Sequence, residues 1–153
     1  MPVFEAETVL ACPPAAVFGF LARPANLLLV SPPELHLTLI DGPPRLSRGA
    51  RITVRGRKFG LPLTATHEVT AFEEGVQFTD AQVQGPFGKF VHTHRVEPAP
   101  AGTRLRDRIE YEAPGGLASL FLTNDRIRKD LEALAAYRGK RFKELLEGDA
   151  GRR

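Results

Sequence analysis

Val3 to Ala11 alternate with β-prone side chains and then meet Cys12-Pro13-Pro14. This predicts a strand handing over to a helix, because proline is tolerated in the first helical turn, where its missing N–H costs nothing. The helix is expected over Ala15–Ala22, and Arg23-Pro24 ends it. Ala25 to Val30 reads as a second short helix closed by Ser31-Pro32-Pro33, since a residue before proline is pushed out of the helical region. From Glu34 onward the pattern changes to short strands, expected over 34–40, 50–57, 63–72, 76–82, 87–97 and 104–113. Turn chemistry such as Asp41-Gly42-Pro43-Pro44 and Glu73-Glu74-Gly75 separates them, and connections this short make an antiparallel meander.

The last strand has the cleanest two-residue period. Thr103, Leu105, Asp107, Ile109 and Tyr111 fall on one face and Arg104, Arg106, Arg108, Glu110 and Glu112 on the other, so one face is covered and one is wet. Beyond Pro114-Gly115-Gly116 the period becomes helical, with Leu120, Ile127, Leu131, Leu134 and Leu145 spaced near three, four and seven. That helix is the natural cover for the sheet. The whole describes one α+β domain over residues 1–147, a curved antiparallel sheet wrapped around a long C-terminal helix, with two short helices after strand one. A cavity is expected between sheet and helix, and residues 148–153 read as a frayed tail.

Composition narrows the classes. With 153 residues the chain has room for one core, and its single cysteine, Cys12, excludes an internal disulfide. Every apolar run, Leu27 to Val30 among them, falls far short of the ~20 residues of a membrane span. The start carries Glu5 and Glu7 and no basic leader pattern, so a cytoplasmic protein without stable membrane insertion is expected. The net charge is +3 and the pI about 9.3. No acidic residue lies between Asp41 and Glu68, whereas Arg45, Arg48, Arg51, Arg55, Arg57 and Lys58 are basic. Only Phe59 stands near as a stacking aromatic, so this segment reads as a solvated hairpin and no nucleic-acid partner is expected.

Candidate chemistry lies on the inward faces. Asp107 shares the apolar face of Leu105 and Ile109 with Tyr111, and a carboxylate there must be paired or protonated. Phe90, His92, His94 and Val96 share one face of the neighbouring strand; Ala65, His67 and Val69 form another row, and Phe78, Asp80 and Gln82 a third. The plain structural reading is a set of hydrogen-bonded partners that fix register. The functional one makes His92, His94 and Asp107 candidates for acid/base work, with Asp80, Gln82, Phe90, Tyr111, His67, Phe78 and Leu131 contacting a ligand. A zinc reading, with His67 or Asp107 completing the set, rests on the weak H-x-H motif, and no metal or cofactor is assigned. Arg138 falls on the helix face of Leu131 and Leu134, where a guanidinium wants Asp80, Asp107 or a ligand oxygen. His36 is expected to be exposed on its strand, Gly85-Pro86-Phe87 to be a turn, and Cys12 to be an inert packed thiol. Nucleotide-loop, serine-hydrolase and zinc-protease motifs do not occur.

The run from Phe78-Thr79-Asp80 through Gly85-Pro86-Phe87 to Phe90-Val91-His92-Thr93-His94 resembles the central motif of a bacterial branch of the SRPBCC superfamily. Gly102-Thr103, Asp107-Arg108-Ile109-Glu110-Tyr111, Pro114-Gly115-Gly116 and Tyr137-Arg138 continue the match. These START-like, helix-grip proteins include polyketide cyclase/dehydrases, coenzyme Q-binding proteins and lipid carriers. The resemblance implies a seven-stranded sheet gripping the C-terminal helix around a hydrophobic tunnel, and carries Asp80, Gln82, His92, His94, Asp107 and Arg138 as its polar positions. Where relatives often have tryptophan this chain has Phe90, and it lacks another near Ala65, which predicts a wider tunnel. The expected function is binding of a lipid-like or polycyclic apolar molecule in a tunnel of roughly 300–1,000 Å³. The alternative is a cyclase or dehydratase working in the same tunnel, and a homodimer is compatible with either.

Overall fold

The structure, a computed structural model, describes residues 1–58 and 60–147; the expected tail over 148–153 lies outside them. Strand β1 (Val3–Leu10) leads into helix α1 (Pro14–Leu21), a 3-10 helix at Pro24–Val30 and a shorter one at Pro33–Leu35. Strands β2 (Thr38–Asp41), β3 (Arg51–Lys58), β4 (Leu61–Glu73), β5 (Gln77–Gln84), β6 (Lys89–Ala99) and β7 (Gly102–Glu112) follow. A 3-10 turn at Gly116–Leu120 precedes helix α2 (Asn124–Phe142), which runs on into a π turn at Lys143–Glu147.

The strands form one seven-stranded antiparallel sheet in the order β1-β7-β6-β5-β4-β3-β2. Consecutive hairpins explain most of that order; the exception is β1, which closes the sheet by pairing β7 from Val3↔Glu110 to Leu10↔Thr103. The closure is tight. Gly102 has φ +138°, and a Cβ there would lie 2.6 Å from the Leu10 carbonyl oxygen, while buried Thr103 donates its hydroxyl to Cys12 O at 2.6 Å. The thirteen-residue β4 carries register shifts against β5 between Thr66 and His67 and between Val69 and Ala71, and such bulges bend the strand. Bending lets the sheet curve around α2.

Two local expectations are corrected. Residues 34–37 are not strand: Pro33 takes the first position of a 3-10 turn, and His36 ends it at φ 46°, in the left-handed region, so pairing starts only at Thr38. Leu120 is not on the helix face but 72% exposed. The helix begins where Thr123 accepts a hydrogen bond from Arg126 N at 3.2 Å, a cap that leaves the preceding Gly-rich segment outside.

Apolar residues collect in two clusters. One holds Leu10, Val17, Phe18, Val69, Phe78 and Leu105; the other packs Phe4, Ile109, Tyr111, Leu122, Ile127 and Leu131. Each fully buried side chain of this size contributes roughly 1.5–3 kcal/mol. On the outer face the alternation of β7 becomes a ladder of ion pairs, Arg104 with Glu7 at 2.7 Å and Arg106 with Glu97 at 3.3 Å. Exposed pairs of this kind add little stability individually. Helix α2 is fastened across the grip by Lys58–Asp130 at 2.6 Å and by Arg141 Nε donating to Leu29 O at 3.0 Å.

Candidate functional site

Between the curved sheet and α2 lies a cavity of about 270 Å³, just below the size expected from the sequence. Its walls are mainly aliphatic and aromatic: Leu21, Leu27, Val30, Ile52, Val54, Phe78, Phe90, Ile109, Leu131 and Leu134 take part. Polar groups gather in one region, where His67, Asp80, His92, His94, Asp107 and Arg138 join the lining.

Strand register assembles that region. Asp80 pairs with His92, His94 with Asp107, and His67 with Gln82, all projecting to the concave side. Apart from one longer ion contact between directly paired His94 and Asp107, the bonds run diagonally across strands, which long side chains can reach. His67 Nδ1 meets Asp80 Oδ1 at 2.8 Å, His94 Nε2 meets Asp80 Oδ2 at 2.9 Å, and His92 Nε2 meets Asp107 Oδ1 at 2.8 Å. His94 Nδ1 lies 3.5 Å from Asp107 Oδ1. The result is a continuous chain, His67–Asp80–His94–Asp107–His92.

Geometry sets the protons. Both nitrogens of His94 face carboxylate oxygens, which only accept, so both carry hydrogen and the ring is an imidazolium. Burial opposes that charge, but hydrogen bonds to Asp107 and Asp80 and their negative charges outweigh it and raise the pKa from 6.5 to about 9. The ring is stacked between His92, 3.7 Å away, and Phe78, 4.4 Å away; aromatic faces favour a cation there. His92 goes the other way. Burial, then the charge on His94, push its pKa down despite Asp107, leaving a neutral ring that donates through Nε2. Burial alone would raise both carboxyls, yet the imidazole hydrogen bonds and charges hold Asp80 and Asp107 far below the usual carboxylate range.

Arg138 is the unfinished member. Burial lowers its pKa, with Asp107 and Asp80 opposing, and its Nε is a buried donor with no hydrogen-bond partner. Donor atoms of Asp80, His92 and His94 lie within 4.8 Å of one another, a grouping that metals use. The 2.9 Å between Asp80 Oδ2 and His94 Nε2 is nevertheless shorter than the about 3.3 Å separating two ligands on a tetrahedral zinc with ~2.0–2.1 Å bonds. These atoms are arranged as a hydrogen-bonded pair, and a metal would have to spread them and take the His94 proton.

Of the residues singled out from the sequence, His67, Phe78, Asp80, Phe90, His92, His94, Asp107, Leu131 and Arg138 line the cavity, and two do not. Tyr111 is inward but only 2% exposed, packed in the cluster of Phe4, Ile109 and Ile127 beside the cavity. Gln82 is spent on the turn: its amide donates to Phe87 O at 2.8 Å and accepts from Phe87 N at 3.2 Å, so Gly85-Pro86-Phe87 is turn chemistry as expected. Phe18, Val69 and Leu105 belong to the core and not to the cavity lining. Sequence reasoning missed Ile52 and Val54 on β3, which period two marks as sharing a face. In the basic hairpin Arg45 pairs with Glu74 and Arg51 with Glu68, consistent with a solvated surface. Cys12 is buried, and burial followed by the charge of Glu147 pushes its thiol pKa up.

A curved sheet gripping a helix around an apolar cavity defines a helix-grip domain of the SRPBCC type. The family described as polyketide cyclase/dehydrase and lipid transport matches residues 1–147, and the chain belongs to it. Among solved structures, CV1439 from Chromobacterium violaceum superposes with a TM-score of 0.76 at 13% identity, covering 96% of this chain and 99% of that one. Ara h 8.0201 gives 0.71 at 16% identity, covering 96% and 98%. Major latex-like protein 151 from Panax ginseng gives 0.65 at 14%, covering 92% and 95%. Identities this low establish a shared fold. Comparison with curated protein sequences found no match. No helix among the described residues is long and apolar enough to cross a membrane.

Proposed function

We propose that the protein binds one apolar small molecule, lipid-like or polycyclic, in the cavity between sheet and α2. The observation that carries this is the combination of a cavity of about 270 Å³ with mainly aliphatic and aromatic walls and one cluster of buried ionisable groups, His67, Asp80, His92, His94, Asp107 and Arg138, in its lining. Burying a ligand there gains roughly 25 cal/mol per Å² of its apolar surface, while the polar region fixes its orientation. The test is saturable binding of a naphthalene-sized fluorescent probe, followed by titration and native mass spectrometry. One molecule per chain is expected, and Val54→Trp, which fills the cavity, abolishes binding while the circular dichroism is retained. Absence of saturable binding, or binding indifferent to Val54→Trp, refutes the reading.

A catalytic reading, cyclase or dehydratase, is favoured by one feature. His92 is neutral, its Nε2–H is held by Asp107, and its Nδ1 retains a lone pair at the cavity wall. It is the imidazole suited to take a proton next to a ligand carbonyl, with Asp107 as the positioning residue. His94, with both nitrogens facing carboxylates, has no lone pair to offer and serves electrostatics instead. Turnover of a poly-β-ketone substrate that survives His92→Gln unchanged would exclude this chemistry.

A further inference from the structure

Among the described residues, every buried side-chain donor around the cavity except one is satisfied from within the protein. Asn26 Nδ2 donates to Phe20 O at 2.9 Å and Ser31 Oγ to Leu27 O at 2.6 Å, and the three imidazoles and two carboxylates bond one another. Arg23 stands exposed in the lining. Arg138 Nε remains, buried, lining the cavity and without an acceptor. A buried N–H left unpaired costs about 1–3 kcal/mol, so the site asks for an oxygen.

The charges decide which oxygen. Asp80 and Asp107 supply two negative charges; Arg138 and the doubly donating His94 supply two positive ones. His67 and His92 each face a single carboxylate oxygen through one nitrogen, a bond that a neutral ring makes in full. The cluster is therefore balanced before any ligand enters. A carboxylate or phosphate placed against Arg138 would add an uncompensated charge beside two buried carboxylates, whereas a neutral carbonyl completes the guanidinium at no electrostatic cost.

We propose that the cavity is selective for an uncharged ligand that presents one carbonyl oxygen, of a ketone, aldehyde or ester, to Arg138, and that it discriminates against carboxylates of the same shape. This rests on the binding function proposed above and specifies its ligand class. A competing explanation sits next to it. A void of about 30 Å³ shares Arg138, His92 and Asp107 and has room for one water, which would satisfy Nε without any ligand.

Three naphthalenes of nearly equal size separate the cases: 2-acetonaphthone, 2-naphthoate and 2-ethylnaphthalene, titrated at pH 7 against wild type, Arg138→Leu and Asp107→Asn. Comparing variants rather than raw affinities cancels the probes' different hydration. Arg138→Leu is expected to weaken the ketone about tenfold relative to the hydrocarbon, as loss of a hydrogen bond from a charged donor would. Asp107→Asn leaves the cluster with a net positive charge and is expected to improve 2-naphthoate about tenfold relative to the ketone. Should Arg138→Leu fail to fold, Arg138→Lys, which keeps the charge but displaces the donor, gives the same comparison. Ketone and hydrocarbon weakened equally by the Arg138 variants would overturn the proposal in favour of the water. A wild type that holds 2-naphthoate through Arg138 and prefers it to the ketone would overturn it in favour of an anion site. If none of the three binds saturably, it is the binding function itself that fails.

Discussion

Removing the His94 imidazolium should abolish one limb of the stability–pH profile. In the native state the ring is held between Asp80 and Asp107 with its pKa raised from 6.5 to about 9, whereas in the unfolded chain it titrates near 6.5. The folded protein thus keeps a proton that the unfolded chain releases above pH 6.5. The associated stability is fully present below that pH and is lost as pH rises towards 9. At about 1.4 kcal/mol per pH unit the loss comes to about 3 kcal/mol, or roughly 10 °C in Tm for a chain of this size. His92 acts in the opposite sense: neutral in the fold with a lowered pKa, it costs stability as pH falls below 6.5, because only the unfolded chain then takes up its proton. The two neighbours together place a maximum near pH 6.5. The assay is urea unfolding of wild type and His94→Gln at half-unit steps from pH 6 to 9. Cys12, whose buried thiol resists ionisation, adds its own loss at the alkaline end, but equally in both proteins, so the difference isolates His94. A wild-type profile that is flat between pH 6.5 and 9, or a slope of the same size in His94→Gln, would refute the doubly bonded imidazolium.

Gln82→Ala should cost about 1–3 kcal/mol in chemical unfolding, since both polar groups of Phe87 lose their partner. It should leave probe affinity within twofold, because the side chain does not line the cavity; a large loss of binding would return Gln82 to the site. Gly102→Ala should destabilise by about 2 kcal/mol or more, measured as a shift in the urea midpoint, with φ +138° and a Cβ 2.6 Å from Leu10 O as the cause. Thr103→Val removes the 2.6 Å bond to Cys12 O while keeping the buried volume. A cost of about 1–3 kcal/mol is expected, and a neutral result would mean that the carbonyl finds another donor.

Strand-level periodicity carried most of the fold. The alternation in residues 103–111 put Leu105, Asp107 and Ile109 on the covered face, and the structure keeps them there because a one-residue slip would bury the arginines. The same logic put Asp80, His92 and His94 on the concave side. Which of them bond one another was not legible, because three of the four contacts in the chain are diagonal, and the one between His67 and Asp80 also depends on register shifts in β4 that leave no mark in composition. Tyr111 and Gln82 show the limit from the other side: period two assigns a face, not a depth along the strand, and at the far end of β5 and β7 that face meets a turn and a packed cluster rather than a cavity. Leu28 and Leu29, exposed in the 3-10 helix while Leu27 lines the cavity and Val30 is buried, follow a three-residue spacing that the expectation of a short helix did not specify. Pro33 ended one helix correctly but started another turn, because its fixed φ suits a 3-10 start as well as a strand boundary.

The charge cluster is an expensive way to build a core. Two carboxylates, an imidazolium and a guanidinium behind an apolar cavity each lose hydration worth several kcal/mol, and buried ion pairs often do no better than hydrophobic residues of similar volume. Stability alone does not account for Asp80, His94 and Asp107, since the neighbouring Phe78 and Ile109 show that aromatic and aliphatic side chains fit these strands. Nor does register: the tight closure at Gly102 and Thr103 and the bulges of β4 already fix it. What the cluster does supply is a rigid, electroneutral wall with its donors committed, leaving one guanidinium N–H unpaired at the edge of an apolar space. A neutral wall lets an apolar ligand enter without meeting net charge, and a single unpaired donor orients it. Both properties are needed for recognition and neither for folding, so the cost of the cluster is most simply explained by what the cavity holds.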